Sequence, residues 1–424
     1  MSGKWTPGDA TEFLLSRELF GIKPGLERMR LLVKELGNPQ DQLRTIHVVG
    51  TNGKSSTTRY AAALLCQMGV PAGAYISPHL IDFNQRVLLP SISGGSPCEV
   101  SAELFAGAVE RVVSAEQRVA PKLPEGDVVT QFELVTAAAL LLISESGAEV
   151  AVLEAGLGGR LDATNILNDG GVVALTGISL DHTRWLGESV EQIAAEKLAV
   201  LRTGGKLAVG ESVTEEIRGL ARERARLVGA QVLEADPLRG VEGMAAFGDF
   251  QTRNLSLAVA SVELLEARAS DQIVDSVAAN TVIPGRLQRI DEDPTTFIDS
   301  AHNLEGISVL AGEVRRLAGS RKVIGLFAVL DDKDASGMLA AMLPAMDGIV
   351  VTEADNPRSR PVVSVEQLAN EVGFAEVRVA SNPMSGLEAA RLWAGRDGFV
   401  IAAGSVHLAG DLLAEGASRV VTAL

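Results

Sequence analysis

Short apolar runs alternate with longer amphipathic stretches along most of this chain. Thr45–Val49, Val150–Leu153, Val172–Leu175 and Lys206–Val209 are each bounded by glycine or polar turns, with segments of helical length between them. This alternation predicts parallel strands joined by crossover helices, because parallel neighbours cannot be linked by a tight turn. One such helix is predicted to open at Ser189, with Gln192 three residues on completing a capping box. It would run through Ile193–Leu201 and stop at Gly204–Gly205. Another begins at the glycine-containing loop after Val49. Beyond Val282 the pattern restarts, with Phe297–Asp299, Val323–Val329, Ile349–Thr352, Val377–Ala380 and Phe399–Ala402 reading as strands. A boundary is placed at Pro284–Gly285, because a proline biases its predecessor towards extended backbone. Two α/β domains, 1–285 and 286–424, are expected, which also suits a chain of 424 residues.

Composition supports that architecture and narrows the function. The chain is 46% hydrophobic and 22% charged, with 43 glycines and 4% aromatic residues, as expected for many strand-to-helix turns. It contains no run of eighteen apolar residues, and MSGKWTPGDATEFL lacks the basic, apolar and small-residue segments of a secretory leader. The expectation is a soluble cytoplasmic protein without a membrane partner. Cys66 and Cys98 lie far apart with no CxxC, which suggests neither a disulfide framework nor a zinc site. With 38 basic and 54 acidic residues the formal charge is −16, against the basic face that a nucleic-acid partner needs. Anionic nucleotides remain possible ligands, since helix N-termini, a few Lys or Arg residues and a metal supply positive potential locally.

IHVVGTNGKSSTT, Ile46–Thr58, runs from an apolar strand through a glycine turn into a helix of small residues. Gly50 and Gly53 let the backbone N–H groups of Gly50–Ser56 approach an oxyanion. Lys54 can reach outer phosphates, and Ser55 or Ser56 can face Mg²⁺. Val48 stands where the longer Walker loop has glycine, leaving the shorter form GxxGKS. A plain strand-to-helix turn would explain both glycines but not Lys54 beside two hydroxyls. Glu154 ends an apolar strand, at the edge where parallel sheets bind ligands, and Mg²⁺ would offset its desolvation. The alternative is an ion pair with Arg160 or a helix cap. His182, with Asp181, follows VVALTGISL, and a lone histidine after a strand is more often a structural residue than a ligand. Lys197 lies on the predicted helix beside Glu196, where its default is a solvated surface lysine.

Together these strings resemble folylpolyglutamate synthase and dihydrofolate synthase, of the Mur ligase superfamily. The resemblance runs from KPGLERMRLLVKELGNPQ (Lys23–Gln40) through GTNGKSS (Gly50–Ser56) and SPHLIDFNQRV (Ser77–Val87). It is strongest at EAGLGGRLDATN (Glu154–Asn165). It continues in SLDHTRWLG (Ser179–Gly187), AAEKL (Ala194–Leu198), GDFQTRN (Gly248–Asn254), PGR (Pro284–Arg286), DSAHN (Asp299–Asn303) and AGSVHLAGDL (Ala403–Leu412). It implies a P-loop-type Mur ligase central domain followed by a smaller Rossmann-like domain. It also implies that Gly50, Thr51, Asn52, Gly53, Lys54, Ser55 and Ser56 hold ATP phosphates, and that Ser77, Glu154 and His182 hold Mg²⁺. Lys54, His182 and Lys197 become the expected catalytic residues, Lys197 as an N-carbamate. Asn254 would lie on the adenine side, with Arg286 and Asp299 closing on the nucleotide; His302 is expected among the nucleotide-site residues, with a role less definite than theirs. Ser405 matches a family position of less definite role. Ser55, Gln85, Phe250, Ser300 and Leu304 depart from the commoner family pattern, which bears on the acceptor rather than on metal ligation.

The implied reaction is ATP-dependent addition of L-glutamate to a folate or dihydropteroate carboxylate through an acyl phosphate, by a monomer. A Mur-type amide ligase with a non-folate acceptor is the alternative, and KPGLERM with GGRLDATN favours folate. A nucleotide-binding regulator without turnover is disfavoured by Lys54, Glu154, His182, Lys197 and Asp299 occurring together. A P-loop switch GTPase is disfavoured by the shorter loop and by the lack of an NKxD string.

Overall fold

The computed structural model describes residues 4–17, 23–91, 95–167, 170–238, 241 and 243–414. Two mixed sheets organise them. The first contains β1 (Arg44–Val49), β2 (Ala72–Tyr75), β3 (Val87–Leu89), β4 (Cys98–Glu99), β5 (Val150–Glu154), β6 (Val172–Leu175), β7 (Lys206–Val209) and β8 (Gln231–Glu234). Their order is β4-β3-β2-β5-β1-β6-β7-β8, with β3 and β4 antiparallel to their neighbours and the others parallel. The chain leaves β1 towards one side of the sheet and returns across it through β5 to β6. The C-terminal edge of β1 is therefore a topological switch point, where open α/β sheets bind ligands. Val48 pairs with Glu154 in register, so the glycine loop and the Glu154 carboxylate leave the sheet at one edge.

Side-chain alternation explains why the central strands read as continuous apolar runs. Val150 and Val152 face the helices Lys54–Gln67 and Asp249–Leu265, while Ala151 and Leu153 face Ala102–Val119 and Gln131–Glu145. A strand covered on both faces has no polar alternation to show.

The second sheet contains β9 (Gln288–Glu292), β10 (Thr295–Ile298), β11 (Val323–Phe327), β12 (Gly348–Val351), β13 (Val377–Val379) and β14 (Phe399–Ala403), ordered β13-β12-β11-β14-β10-β9. Only β9 is antiparallel, pairing with β10. The strands expected from the sequence occur within a few residues of their predicted limits. Asp299 is the notable shift, because it stands just beyond β10 rather than within it.

The predicted Ser189 helix is shorter than expected, Val190–Leu198, and its capping box is incomplete. Ser189 accepts from the Gln192 N–H at 3.3 Å, but the Gln192 side chain turns to the Glu188 N–H at 2.9 Å. Val200 and Leu201 leave the helix for the core beneath β6 and β7, so the chain breaks before Gly204. Among the described residues no helix is long and apolar enough to cross a membrane, and Cys66 and Cys98 are free thiols.

Candidate active site

A cavity of about 480 Å³ opens where the carboxyl edges of the two sheets meet. Gly50–Ser56, Ser77, Glu154, His182, Lys197 and Asn254 line it from the first sheet's side; Arg286, Asp299 and His302 line it from the second. Every site residue expected from the sequence is thus brought to one space. Ser405 lies outside this lining, where it caps the helix Val406–Leu413 by accepting from the His407 N–H at 3.0 Å.

The loop after β1 needs glycine at two points for steric reasons. At Gly50, φ is +150° and a Cβ would collide with Thr176 Oγ1. At Gly53, φ is +86° and a Cβ would sit 2.5 Å from Asn254 Oδ1. Gly53 then opens the helix Lys54–Gln67, whose first N–H groups face the cavity without a side-chain cap. Lys54 Nζ donates to Thr51 O at 2.9 Å, and the Thr51 N–H donates to Gly177 O at 2.7 Å. The cradle is thereby tied to the end of β6.

Glu154 is buried at the end of β5, where Oε2 accepts from the Ser77 N–H at 3.2 Å. Burial pushes its carboxyl up, and Lys54, Ser55, Ser77 and Arg286 oppose that shift. It is not paired with Arg160, which binds Glu196 at 2.9 Å instead, so that alternative is overturned. The EAGLGGRLDATN loop folds around buried Asp162, which accepts from the Leu157 N–H at 2.7 Å and the Thr164 hydroxyl at 2.5 Å. Since that hydroxyl donates to the carboxylate, His47 Nε2 must donate to it, at 2.8 Å. A Cβ on Gly159 would lie 2.9 Å from Lys197 O, so glycine here lets the loop press against the Lys197 helix.

Lys197 is buried, which removes its solvated-surface reading. Nζ donates to Gly50 O at 2.7 Å. Burial, reinforced by Lys54 and opposed by nearby carboxylates, lowers the amine to about 7. His182 sits in left-handed backbone, φ +50°, a conformation that costs a non-glycine residue of order 1–3 kcal/mol and often marks functional sites. The side chain keeps 42% of its surface exposed, yet desolvation by the surrounding protein, opposed by Asp181 and reinforced by Lys333, Lys54 and Lys197, lowers its imidazole to about 4. The ring is therefore neutral near pH 7.

From the second sheet, Asp299 accepts from the Leu287 N–H at 2.6 Å and the Ala301 N–H at 2.7 Å, which holds the backbone on either side of it. Burial pushes its carboxyl up, opposed by Arg286 and those N–H groups. His302 Nδ1 lies 2.9 Å from Ser300 O, which can only accept, so Nδ1 carries the proton and Nε2 is left as an acceptor. Burial and Lys333 lower this ring to about 4.

Sequence reasoning missed a clasp between the two halves. Lys333 Nζ meets Asp181 Oδ1 at 3.0 Å, and Asn303 Nδ2 donates to Asp181 Oδ2 at 3.1 Å and to Asn52 Oδ1 at 3.1 Å. Asn52 Nδ2 donates in turn to Glu305 Oε2 at 2.7 Å. Lys333 lies in the loop after β11, so the carboxyl-edge rule applied to the second sheet would have flagged VLDDKD. The lining also includes apolar side chains, Phe250, Leu257, Val309 and Leu310.

Comparison with known proteins identifies relatives in sequence and in fold. The Mur ligase, glutamate ligase domain, matches residues 285–406. A dihydrofolate synthase/folylpolyglutamate synthase of Mycobacterium tuberculosis is 33% identical over 407 residues, covering 87% of this chain and 82% of the relative. The M. tuberculosis folylpolyglutamate synthase complexed with ADP superposes with a TM-score of 0.86 at 31% identity, over 95% of this chain and 98% of that one. A bifunctional folylpolyglutamate synthase/dihydrofolate synthase with Mn, AMPPNP and L-glutamate bound gives 0.81 at 28% identity, over 97% and 99%.

Proposed function

This chain belongs to the dihydrofolate synthase/folylpolyglutamate synthase family of the Mur ligase superfamily, and from that premise we propose that it is an ATP-dependent ligase joining L-glutamate to a folate-type carboxylate. The observation that carries the proposal is the convergence of the Gly50–Ser56 cradle, Glu154 and Lys197 with Arg286, Asp299 and His302 around one cavity. The acceptor is dihydropteroate, a reduced folate, or both, and the reaction belongs to the cytoplasm. The division at residues 285 and 286 follows the chemistry: the first domain holds ATP and the acceptor, and the second closes over them.

A carboxylate is a poor electrophile, so its oxygen first attacks the γ-phosphorus of ATP, giving an acyl phosphate and ADP. The glutamate amine then attacks the acyl carbon, an amide forms and phosphate leaves. Such a transfer depends mainly on positioning and charge neutralisation. Lys54 and the first N–H groups of its helix neutralise the phosphates, Arg286 approaches from the second domain, and the clasp holds the halves together against water that would hydrolyse the acyl phosphate.

Ser77, Glu154 and neutral His182 form a hydroxyl, carboxylate and imidazole set that fits a divalent cation, and a metal charge would offset the desolvation of Glu154. Mg²⁺ bound there would draw charge off the phosphate oxygens. An amine lowered to about 7 is partly unprotonated at neutral pH, the form that adds CO₂. This supports Lys197 as the site of an N-carbamate that would organise the metal and phosphates.

The test is phosphate release from Mg·ATP with L-glutamate and dihydropteroate, tetrahydrofolate or no acceptor, with product mass checked. Release that requires both glutamate and a pterin, with a product one glutamyl unit heavier, is the expected result. Release that ignores both pterins would refute the folate reading in favour of another acceptor.

A further inference from the structure

Beside the main cavity lies a second one, of about 40 Å³, and the two share Ser55, Pro78, Arg286 and Ser300 in their walls. Arg59, one turn beyond Ser55 on the same helix, lines the small cavity only. Its side chain is 14% exposed, yet among the described residues its guanidinium makes one hydrogen bond, from Nη2 to Glu99 Oε1 at 3.3 Å. A guanidinium has five N–H donors, and those of Arg59 that are not on Glu99 stay accessible, open to a ligand that enters the cavity. Arg286 lines the same cavity and makes no side-chain hydrogen bond among the described residues. Two incompletely matched guanidinium groups thus face a space of carboxylate size, with Glu99 the one carboxylate in its lining.

We propose that Arg59 is a specificity-determining residue that binds the side-chain carboxylate of the incoming glutamate in this small cavity. This rests on the ligase function proposed above. The planar fork of arginine matches a carboxylate in a two-point contact that a neutral amide cannot reproduce. Because the small cavity adjoins the nucleotide cavity without belonging to it, the carboxylate farther from the reacting amine is the one that reaches it. The amine then stays near the phosphate end, where the acyl group is activated. Glu99, on the short edge strand β4, holds the guanidinium by one nitrogen, Nη2.

The experiment compares L-glutamate with L-glutamine as amine donor, in wild type and in Arg59→Met and Arg59→Lys, following amide product and phosphate with saturating ATP and pterin. Glutamate-dependent turnover by wild type comes first, and its failure would count against the ligase reading rather than against Arg59. With wild type active, Arg59→Met is expected to raise the KM for glutamate at least tenfold and to lower the preference for glutamate over glutamine by a similar factor. The KM for ATP should stay within about twofold, and Arg59→Lys should recover part of the preference. Should Arg59→Met not fold, Arg59→Lys alone still decides, because keeping the charge while losing the fork should raise the KM for glutamate selectively. A folded variant with an unchanged glutamate-to-glutamine preference, or equal loss for both donors, would overturn the proposal and leave Arg59 as a structural partner of Glu99.

Discussion

Replacing Lys333 by methionine removes the cation of the clasp and little of its packing. The Lys333 and Asp181 side chains are 11% and 9% exposed and their charges meet at 3.0 Å. Burial alone would raise the Asp181 carboxyl, but the charges of His182, Lys333 and His302 hold it well below the usual carboxylate range. Both histidines are lowered to about 4, so at pH 7 Lys333 is the lasting cation among the three. Stranding one member of a buried pair costs about 3–5 kcal/mol. The Asn303 donor at 3.1 Å remains, so the low end, about 3 kcal/mol, is expected. Because the pair links the loop after β6 to the loop after β11, the loss falls on contact between the halves rather than on either core. At about 1.4 kcal/mol per tenfold, the closed population falls roughly 100-fold relative to the open one. Energy transfer between dyes on the two domains, with a non-hydrolysable ATP analogue bound, would report closure, and kcat/KM for ATP should fall in parallel. Adding Asp181→Asn removes the stranded charge and should recover at least about tenfold of the closure loss. Closure within threefold of wild type in Lys333→Met would refute the reasoning.

Lys54→Ala should lower ATP turnover by at least about 100-fold while shifting Tm by no more than a few degrees, because its one side-chain hydrogen bond among the described residues, to Thr51 O, is local; turnover assays and calorimetry on one preparation check this. If Lys197 acts as a carbamate, activity should fall on removing CO₂ and bicarbonate and in Lys197→Ala, with short carboxylates restoring some of the latter. It should also fall as pH drops through about 7, since only the neutral amine adds CO₂. Burial, with a smaller effect from Arg202, lowers His47 from 6.5 to about 3, so the unfolded chain binds this proton more readily. Stability is lost as pH falls from 6.5 towards 3, by about 2 kcal/mol at pH 5. Urea unfolding at pH 7 and pH 5 should show a smaller acid loss in His47→Gln than in wild type.

What the sequence determined by itself was what local geometry and local chemistry carry. Continuous apolar runs between helical segments meant strands covered on both faces, and β1, β5, β6, β7 and β11 are such strands. Gly50 and Gly53 beside Lys54 meant a strand-to-helix turn that only glycine fits, and that turn lines the cavity. Edge elements were less legible: β8, QVLE, and β9, QRIDE, carry charges that blur any apolar run. The tertiary structure decided the properties that depend on distant neighbours. Lys197 and Glu196 are adjacent on one helix, yet only Lys197 is buried under the Gly50 loop, while Glu196 turns to Arg160. Arg160 was an equally plausible partner for Glu154 until the fold paired it with Glu196. The Asp181–Lys333 clasp joins residues that no local pattern links, because each belongs to a different sheet and their pairing exists only once the two carboxyl edges face each other. Desolvation and charge pairing are set by three-dimensional proximity, so the carboxylates and amines of this site acquire their chemistry only in the folded chain.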